Sequence, residues 1–215
     1  MTKYIGLLRE RFNNYDYPVF TLTDARVLLG RSKISEGYLK TLINHLMKKN
    51  EIRRISKGAY TFHDDIAVVG FAFRPFYYGL EDALSYRNLW TQATNPIIIT
   101  GNPVREGVRK FGNANYIVKR IKTGLFFGFD FIKHYDMWLP VSDAEKTLID
   151  LVYYKHGVRD DAMGPLLESI DKEKLDGYLE HYSQGFRKRL HSYIGKSRSA
   201  PGKGWYGMNV QGARV

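Results

Sequence analysis

The sequence predicts an α+β fold: helices and a basic hairpin at the N-terminus, then a mixed α/β region with a small sheet and several helices. Three segments with helical periodicity and one alternating segment occupy the first 62 residues. Residues 96 to 140 are rich in β-branched and aromatic side chains, and helical patterns return after residue 142. With 44% hydrophobic residues, the 215-residue chain can bury a packed core.

The first two predicted helices are short. The first ends before Asn13 and Asn14, and its apolar residues at near-helical spacing are Tyr4, Ile5, Leu7, Leu8 and Phe12. The second lies in FTLTDARVLLG, where Thr21 or Thr23 can cap it and Gly30 ends it. Its predicted inward-facing residues are Ala25, Leu28 and Leu29.

The third predicted helix, in SEGYLKTLINHLMKKN, is amphipathic. One apolar stripe is formed by Tyr38, Leu42, Ile43 and Leu46. The polar residues that point elsewhere are Lys40, Thr41, Asn44, His45 and Lys48. This helix therefore combines a face for the core with a polar face for solvent or a partner.

The stretch EIRRISKGAYTF, residues 51 to 62, follows at once and predicts a two-stranded hairpin that turns at Ser56-Lys57-Gly58. Arg53, Arg54 and Lys57 lie in and beside the turn, and no acid follows Glu51 in the stretch to balance them. The residues predicted to seat the hairpin on the helices are Ile52, Ile55, Tyr60 and Phe62.

Three helices and a basic hairpin, in this order, are the parts of a winged helix-turn-helix. In that arrangement the third helix enters the major groove of duplex DNA, and the hairpin contacts phosphates beside it. The predicted DNA-binding residues are Lys40, Thr41, Asn44, His45, Lys48, Arg53, Arg54 and Lys57. Winged helices also serve in protein contacts, so a protein- or RNA-interaction module without operator specificity is the alternative function.

The positive charge is concentrated at the two ends of the chain. The formal net charge is +11, with 12 Lys/Arg against 6 Asp/Glu in residues 1 to 64 and 17 against 16 in residues 65 to 195. The glycine-rich tail, 196 to 215, has 4 against 0 and is either a disordered end or an arm that contacts phosphate. Cations placed this way indicate nucleic acid as the partner.

The remainder of the chain predicts a second domain. A boundary near residues 63 to 72 divides the chain into domains 1-66 and 67-195 and the tail 196-215. A helix is expected to begin near Gly79, with Glu81 and Asp82 in its first turn. Short strands are predicted at 96–100, 115–121, 125–132 and 137–140.

The segment VSDAEKTLIDLVYY predicts a further helix. Ser142, three residues before Glu145, suggests a capping box, and Lys146 is expected to be solvated. Its buried face would be Ala144, Leu148, Ile149, Leu151 and Val152. Two or three shorter helices follow between 160 and 193, separated by Gly164-Pro165, Asp171 and Gly185.

Four segments resemble the AbiEi family of antitoxins, which are also described as transcriptional regulators. They are the N-terminal winged-helix pattern, YYGLEDALSYRNLWTQATNPIIIT, REGVRKFGNANYIVKRIK and, most specifically, LPVSDAEKTLIDLVYY. The resemblance implies an N-terminal winged helix that binds the operator of its own operon. It also implies a C-terminal domain that helps repression and counteracts a nucleotidyltransferase toxin without a tight complex. The family's basic C-terminal region is here nearly neutral.

Enzymatic patterns are missing from the sequence. It has no cysteine, and its six histidines show no metal-ligand spacing. The residue types of a restriction-like nuclease site are present as Asp143, Glu145 and Lys146. Such a site requires a Glu-x-Lys alternation on one face of a strand, whereas Glu145 and Lys146 are contiguous and lie on a predicted helix. There is no Asp-x-Asp pair of a nucleotidyltransferase and no Walker-type loop. We expect no catalytic site, cofactor or metal.

Membrane and export signals are also missing from the sequence. No window approaches the roughly 20 uncharged apolar residues of a membrane span. Arg9, Glu10 and Arg11 stand where a signal peptide would have its apolar core. We expect a cytoplasmic protein, either monomer or dimer, with no membrane partner.

Overall fold

The computed structural model describes residues 2–30, 34–92, 94–158 and 160–199. Over this part of the chain the fold is mixed α+β with two sheets and several helices. The helices are α1 (Thr2–Phe12), α2 (Leu22–Leu29), α3 (Glu36–Lys48), α4 (Glu81–Tyr86), α5 (Ala144–Tyr153), α6 (Asp160–Glu168), α7 (Lys172–Leu179) and α8 (Gln184–Ser199). None of these described helices has the length and apolar character needed to cross a bilayer.

Nine strands are found among the same residues. They are β1 (Phe20–Thr21), β2 (Arg53–Ser56), β3 (Ala59–Thr61), β4 (Phe76–Tyr78), β5 (Ile97–Thr100), β6 (Gly107–Phe111), β7 (Ala114–Arg120), β8 (Phe129–His134) and β9 (Met137–Ser142). Two 3₁₀ helices lie at Ile66–Phe73 and Thr123–Leu125. The first of them was not predicted from the sequence.

Chain contacts divide the molecule into two compact units. The first comprises the chain up to Tyr77, Asn95–Ile121 and Lys133–Leu139; the second comprises the remaining segments, including the chain from Pro140 onward. The first unit extends past residue 66 because β2 contacts β6 and the Tyr116 hydroxyl bonds to the Ile55 carbonyl. The predicted functional domains stay predictions. The predicted tail, 196 to 215, is described only to Ser199, and the rest lies outside the described residues.

Helices α1, α2 and α3 pack around one core in the first unit. Its buried members are Leu8, Phe12, Phe20, Ala25, Leu29, Leu39, Leu42, Ile43, Leu46, Ile52 and Tyr60. Of the two residues predicted as possible caps of α2, Thr21 is the cap. Its hydroxyl accepts from the Asp24 amide at 3.2 Å, and the Asp24 carboxylate accepts from the Thr21 amide at 2.7 Å. Ser35 caps α3 by accepting from the Tyr38 amide at 3.2 Å.

The predicted hairpin forms strands β2 and β3, and β1 adds to it in the antiparallel order β1-β3-β2. Gly58 has φ +82° in the turn, a conformation that glycine adopts without strain. Ile52, Tyr60 and Phe62 pack on the helical core as predicted. Ile55 is buried but does not belong to that core, and this corrects its predicted role. Its strand also contacts β6.

The larger sheet has the strand order β6-β7-β5-β4-β9-β8. β5 and β7 run parallel, β6 and β7 antiparallel, and β4 and β9 parallel. The strands predicted at 96–100, 115–121 and 137–140 are confirmed as β5, β7 and β9. β6 was missed because its residues are mostly exposed and lack the alternation of a half-buried strand.

The prediction of a strand at 125–132 was wrong at the N-terminal end of that segment. Thr123–Leu125 is a 3₁₀ helix, and β8 begins only at Phe129. Gly128 has φ +73°, and a Cβ there would lie 2.9 Å from both the Lys146 Cβ and the Tyr178 ring. The left-handed backbone and this close approach stop the strand from beginning earlier.

The predicted capping box of Ser142 and Glu145 was also wrong. Asp143 caps α5, because its carboxylate accepts from the Lys146 amide at 2.7 Å. The Ser142 hydroxyl instead shares a 2.7 Å hydrogen bond with Thr147, and the Glu145 carboxylate accepts from the Asp171 amide at 2.8 Å. Asp143 thus supplies the capping oxygen one residue later than predicted.

Gly164 and Pro165 were predicted to separate helices, but both lie inside α6. This helix buries Ala162, Met163 and Leu166. Burial of that apolar face outweighs the low helix propensity of glycine and proline. Asp171 is a boundary as predicted, since its side chain caps α7 by accepting from the Lys174 amide at 3.1 Å.

Candidate nucleic-acid interface

Helix α3 turns a polar face to solvent. Lys40, Thr41, Asn44 and Lys48 are exposed, and His45 is half-buried. The opposite face is buried through Leu39, Leu42, Ile43 and Leu46, of which only Leu39 was missing from the predicted stripe. Because residues three and four apart share a helix face, the structure brings the four exposed side chains together on one surface.

Two residues of this surface already have partners within the helix. The Lys40 ammonium lies 2.8 Å from the Glu36 carboxylate, and the Arg26 guanidinium lies 3.5 Å from the same group. The hydrogen bond and charge of Lys40, with the charge of Arg26, lower the pKa of Glu36. Lys40 is therefore partly neutralised. The Thr41 hydroxyl donates to the Gly37 carbonyl at 3.0 Å, so its one O–H donor is engaged within the helix.

Asn44 and Lys48 differ from these two. Over the described ranges, neither side chain makes a hydrogen bond or an ion pair. An exposed amide and ammonium without protein partners retain their full hydrogen-bonding capacity for a ligand. Asn44 and Lys48 are thus the residues of this surface whose polar groups are not engaged by described residues.

The hairpin carries fewer available cations than the sequence suggests. Arg53 was predicted to be unbalanced, but its guanidinium is paired with the Asp64 carboxylate. The hydrogen bond to Asp64 raises the pKa of Arg53, and the same bond lowers the pKa of Asp64. Arg53 pairs across the ladder with Thr61, and Asp64 follows three residues later. The hairpin pattern did not predict this pair, because Asp64 lies just beyond the hairpin stretch.

Arg54 and Lys57 remain as the hairpin cations that have no carboxylate partner among the described residues. The Arg54 side chain is exposed and donates from Nε to the Ser56 carbonyl at 3.1 Å. This bond holds the guanidinium beside the turn and uses one of its five N–H donors. Lys57 is exposed in the turn itself. Two cations at the tip thus form the positive surface of the hairpin.

The connection from α3 to β2 places the helix and the hairpin next to each other. The chain reverses at Asn50, whose φ of +56° lies in the left-handed region that asparagine tolerates. The Glu51 amide bonds to the Leu46 carbonyl at 3.0 Å, and the Glu51 carboxylate pairs with Arg9 of α1 at 2.8 Å. Because Ile52 and Tyr60 belong to the same core as α3, the polar surface and the hairpin cations are held by one packed body.

Strand β6 adds basic residues that were not among the predicted DNA-binding residues. β6 contacts β2, and its Lys110 is exposed. The Arg109 guanidinium lies 5.0 Å above the Phe73 ring. Residues 105 to 122 contain six Lys/Arg and one Asp/Glu, but the contact of β6 with the hairpin strand β2 could not be predicted from this composition.

The second unit contains a buried charged cluster around α5. Lys146 and Asp150 are both fully buried and paired with each other, which overturns the prediction that Lys146 is solvated. Burial lowers the pKa of Lys146, and the Asp150 carboxylate opposes that effect. The Tyr182 hydroxyl lies 3.4 Å from the Lys146 ammonium. Lys146 also faces the Phe127 ring at 5.4 Å.

Helix α7 supplies partners for the remaining acids of this cluster. The Lys174 ammonium lies 3.1 Å from Asp143 and 3.2 Å from Glu145. Burial alone would lower the pKa of Lys174, but the hydrogen bonds and charges of the two acids raise it. The Tyr178 hydroxyl donates to Asp143 at 2.7 Å, and burial together with this bond raises the pKa of Tyr178 to about 12. Asp143 and Glu145, the two acids of the set that also occurs in restriction-like nucleases, are therefore each bound to a neighbouring side chain or amide.

Within residues 2–30, 34–92, 94–158 and 160–199, no group of three or more histidines and acids is arranged to hold a metal ion.

Comparison with known proteins finds similar folds among solved structures. No family model and no curated protein matches the chain. The crystal structure of the RV2827C protein from Mycobacterium tuberculosis is similar to it with a TM-score of 0.60 and 15% sequence identity. The alignment covers 93% of this chain and 76% of that chain. At this identity the similarity shows a shared fold alone.

Proposed function

We propose that α1–α3 and the β2–β3 hairpin form a winged helix-turn-helix that binds double-stranded DNA. The observation that supports it is the exposed polar face of α3 beside a hairpin whose tip carries Arg54 and Lys57. An α-helix with its side chains is about 10–12 Å across and the major groove is about 12 Å wide, so α3 fits the groove.

The two parts of this interface have different tasks. Asn44 reads sequence, because a side-chain amide can bond in a bidentate manner to the N6 and N7 atoms of adenine. Thr41 offers its methyl group to the methyl of thymine. Arg54 and Lys57 contact phosphates, which fixes the orientation of α3 and adds affinity that decreases with salt. Lys40 contributes less than Arg54 or Lys57, because Glu36 already holds its ammonium group.

We further propose that the protein represses its own operon and is the antitoxin to a nucleotidyltransferase toxin. The support is the resemblance of LPVSDAEKTLIDLVYY and the other three segments to the AbiEi family. In this chain the charged residues of that segment are bound within the second unit, so they stabilise it and are not available for catalysis. Toxin neutralisation is accordingly assigned to the surface of that unit.

The DNA proposal is tested by fluorescence anisotropy with the full chain. One labelled duplex carries the region upstream of the gene, and the other has the same composition in scrambled order. We expect the upstream duplex to bind at least about 10³-fold more tightly. Asn44→Ala should reduce that ratio, whereas Lys188→Ala, an exposed cation of α8, should leave it unchanged. Equal affinity for both duplexes would contradict a sequence-specific repressor.

Two further measurements separate the remaining possibilities. Tighter binding to an RNA of the same sequence than to the duplex would favour the alternative function, an RNA-interaction module. Co-expression of the full chain with the nucleotidyltransferase encoded beside it should restore growth. If operator binding is found but growth is not restored, the protein is a transcriptional regulator without antitoxin activity.

A further inference from the structure

A cavity of about 500 Å³ opens at the surface of the second unit. Its wall is aromatic, with Tyr153, Tyr182 and Phe186 among the lining residues. The rings of Tyr182 and Phe186 are stacked with centroids 4.6 Å apart, and Tyr153 lies edge-on at 6.5 Å from Tyr182. This volume is within the range of small-molecule sites, about 300–1,000 Å³.

The rim of the cavity is positively charged. Lys122 and Arg189 line it and both are exposed, and the Arg189 guanidinium lies 5.1 Å from the centre of the Phe186 ring. None of the described residues that line this cavity is acidic. Cations without a facing carboxylate, next to a ring surface, attract a ligand that is both anionic and planar.

Hydrogen bonds hold the aromatic wall in place. The Arg187 side chain donates to the Tyr182 carbonyl at 3.0 Å and to the Glu180 carbonyl at 3.1 Å. The Ser183 hydroxyl accepts from the Phe186 amide at 3.3 Å. The Tyr182 hydroxyl is directed to the buried Lys146, so its polar end is engaged inside the unit. The wall therefore requires little ordering when a ligand binds.

We propose that this cavity binds a nucleotide. The base packs chiefly against Tyr153, the partly exposed ring of this wall, because Tyr182 and Phe186 are largely buried. The phosphate lies between Lys122 and Arg189. Base–aromatic stacking and an adjacent cation are the recurring chemistry of sites for unpaired nucleotides. The nucleotide is supplied either free in solution or as one residue of an unpaired strand, since both present the same base and phosphate. The site uses neither α3 nor the hairpin and so goes beyond the proposed DNA-binding function.

Isothermal titration of the full chain tests this assignment with four probes. They are AMP, adenosine, ribose 5-phosphate and a single-stranded adenylate hexamer. We expect AMP to bind at least about tenfold more tightly than adenosine or ribose 5-phosphate, because only AMP uses both the wall and the rim. A hexamer that binds more tightly than AMP identifies a strand as the source, and one that binds more weakly identifies free nucleotide.

Matched variants locate the binding. Arg189→Ala and Lys122→Ala should each weaken AMP about tenfold, whereas Lys188→Ala, the exposed neighbour of Arg189, should not. Tyr153→Leu should weaken AMP but leave ribose 5-phosphate unchanged. Thermal melting confirms that each variant is folded. No AMP binding at millimolar concentration, or loss of binding in Lys57→Ala but not in Arg189→Ala, would overturn the proposal.

Discussion

The Tyr116 hydroxyl donates a 2.7 Å hydrogen bond to the carbonyl oxygen of Ile55 and so attaches the basic hairpin to strand β7. Burial raises the pKa of Tyr116, so the hydroxyl keeps its proton, and can donate, to a higher pH than an ordinary tyrosine does. The bond joins residues far apart in sequence. It makes the position of the hairpin depend on the larger sheet.

Replacing Tyr116 with Phe should therefore loosen the hairpin. The variant leaves a buried carbonyl without its donor, and we expect a loss of about 1 kcal/mol in the free energy of unfolding by urea. Amide exchange in β2 and β3 should accelerate more than exchange in α3. Tyr135→Phe is the control because Tyr135 is 78% exposed. Equal unfolding free energies for both variants would show that the bond contributes nothing.

The cations of the hairpin should contribute unequally to DNA binding. Arg54→Ala and Lys57→Ala should each reduce the slope of log K against log salt by about 0.9, the value for one phosphate contact. Arg53→Ala should reduce it less, because Asp64 already holds that guanidinium. The slope is measured by anisotropy on specific and scrambled duplexes. Equal reductions for all three variants would mean that the Arg53–Asp64 pair opens on binding.

Removal of Asp64 should have the opposite effect. Asp64→Ala leaves Arg53 without its partner and deletes a negative charge beside the hairpin. We expect tighter binding to specific and scrambled duplexes alike, with a steeper salt dependence, because phosphate contacts carry no sequence information. Glu168→Ala, an exposed acid of α6, is the control. Unchanged affinity in Asp64→Ala would place Arg53 outside the interface.

Features decided by local sequence were predicted correctly. The three N-terminal helices, one of the two predicted caps of α2 and the polar residues of α3 follow from short periodic patterns and capping chemistry. Features that depend on partners outside the local pattern were not predicted correctly. Lys146 is buried because Asp150, Tyr182 and Phe127 surround it, and Arg53 is paired because Asp64 follows β3. Local patterns carry no information about such contacts.

The Lys146–Asp150 pair should be a major determinant of the stability of the second unit. Lys146→Met leaves a buried carboxylate without its ion partner, and we expect a loss of about 3–5 kcal/mol. The double variant Lys146→Met with Asp150→Leu should lose less than the sum of the single variants, because no unpaired charge remains. Urea unfolding measures each value, with exposed Lys172→Met as the control. A loss below about 1 kcal/mol in Lys146→Met would contradict a tightly buried pair.

Tyr178 should ionise near pH 12, two units above an ordinary tyrosine, because burial and the hydrogen bond to Asp143 favour its neutral form. A raised pKa in the folded state means that the folded protein holds this proton more tightly than the unfolded chain. The resulting stabilisation is complete below pH 10 and decreases as the pH rises toward 12. The difference in phenolate absorbance between the native protein and Tyr178→Phe isolates this one titration from the other tyrosines. Asp143→Asn should shift the difference titration to lower pH, and a midpoint near pH 10 in the unsubstituted protein would contradict the Tyr178–Asp143 contact.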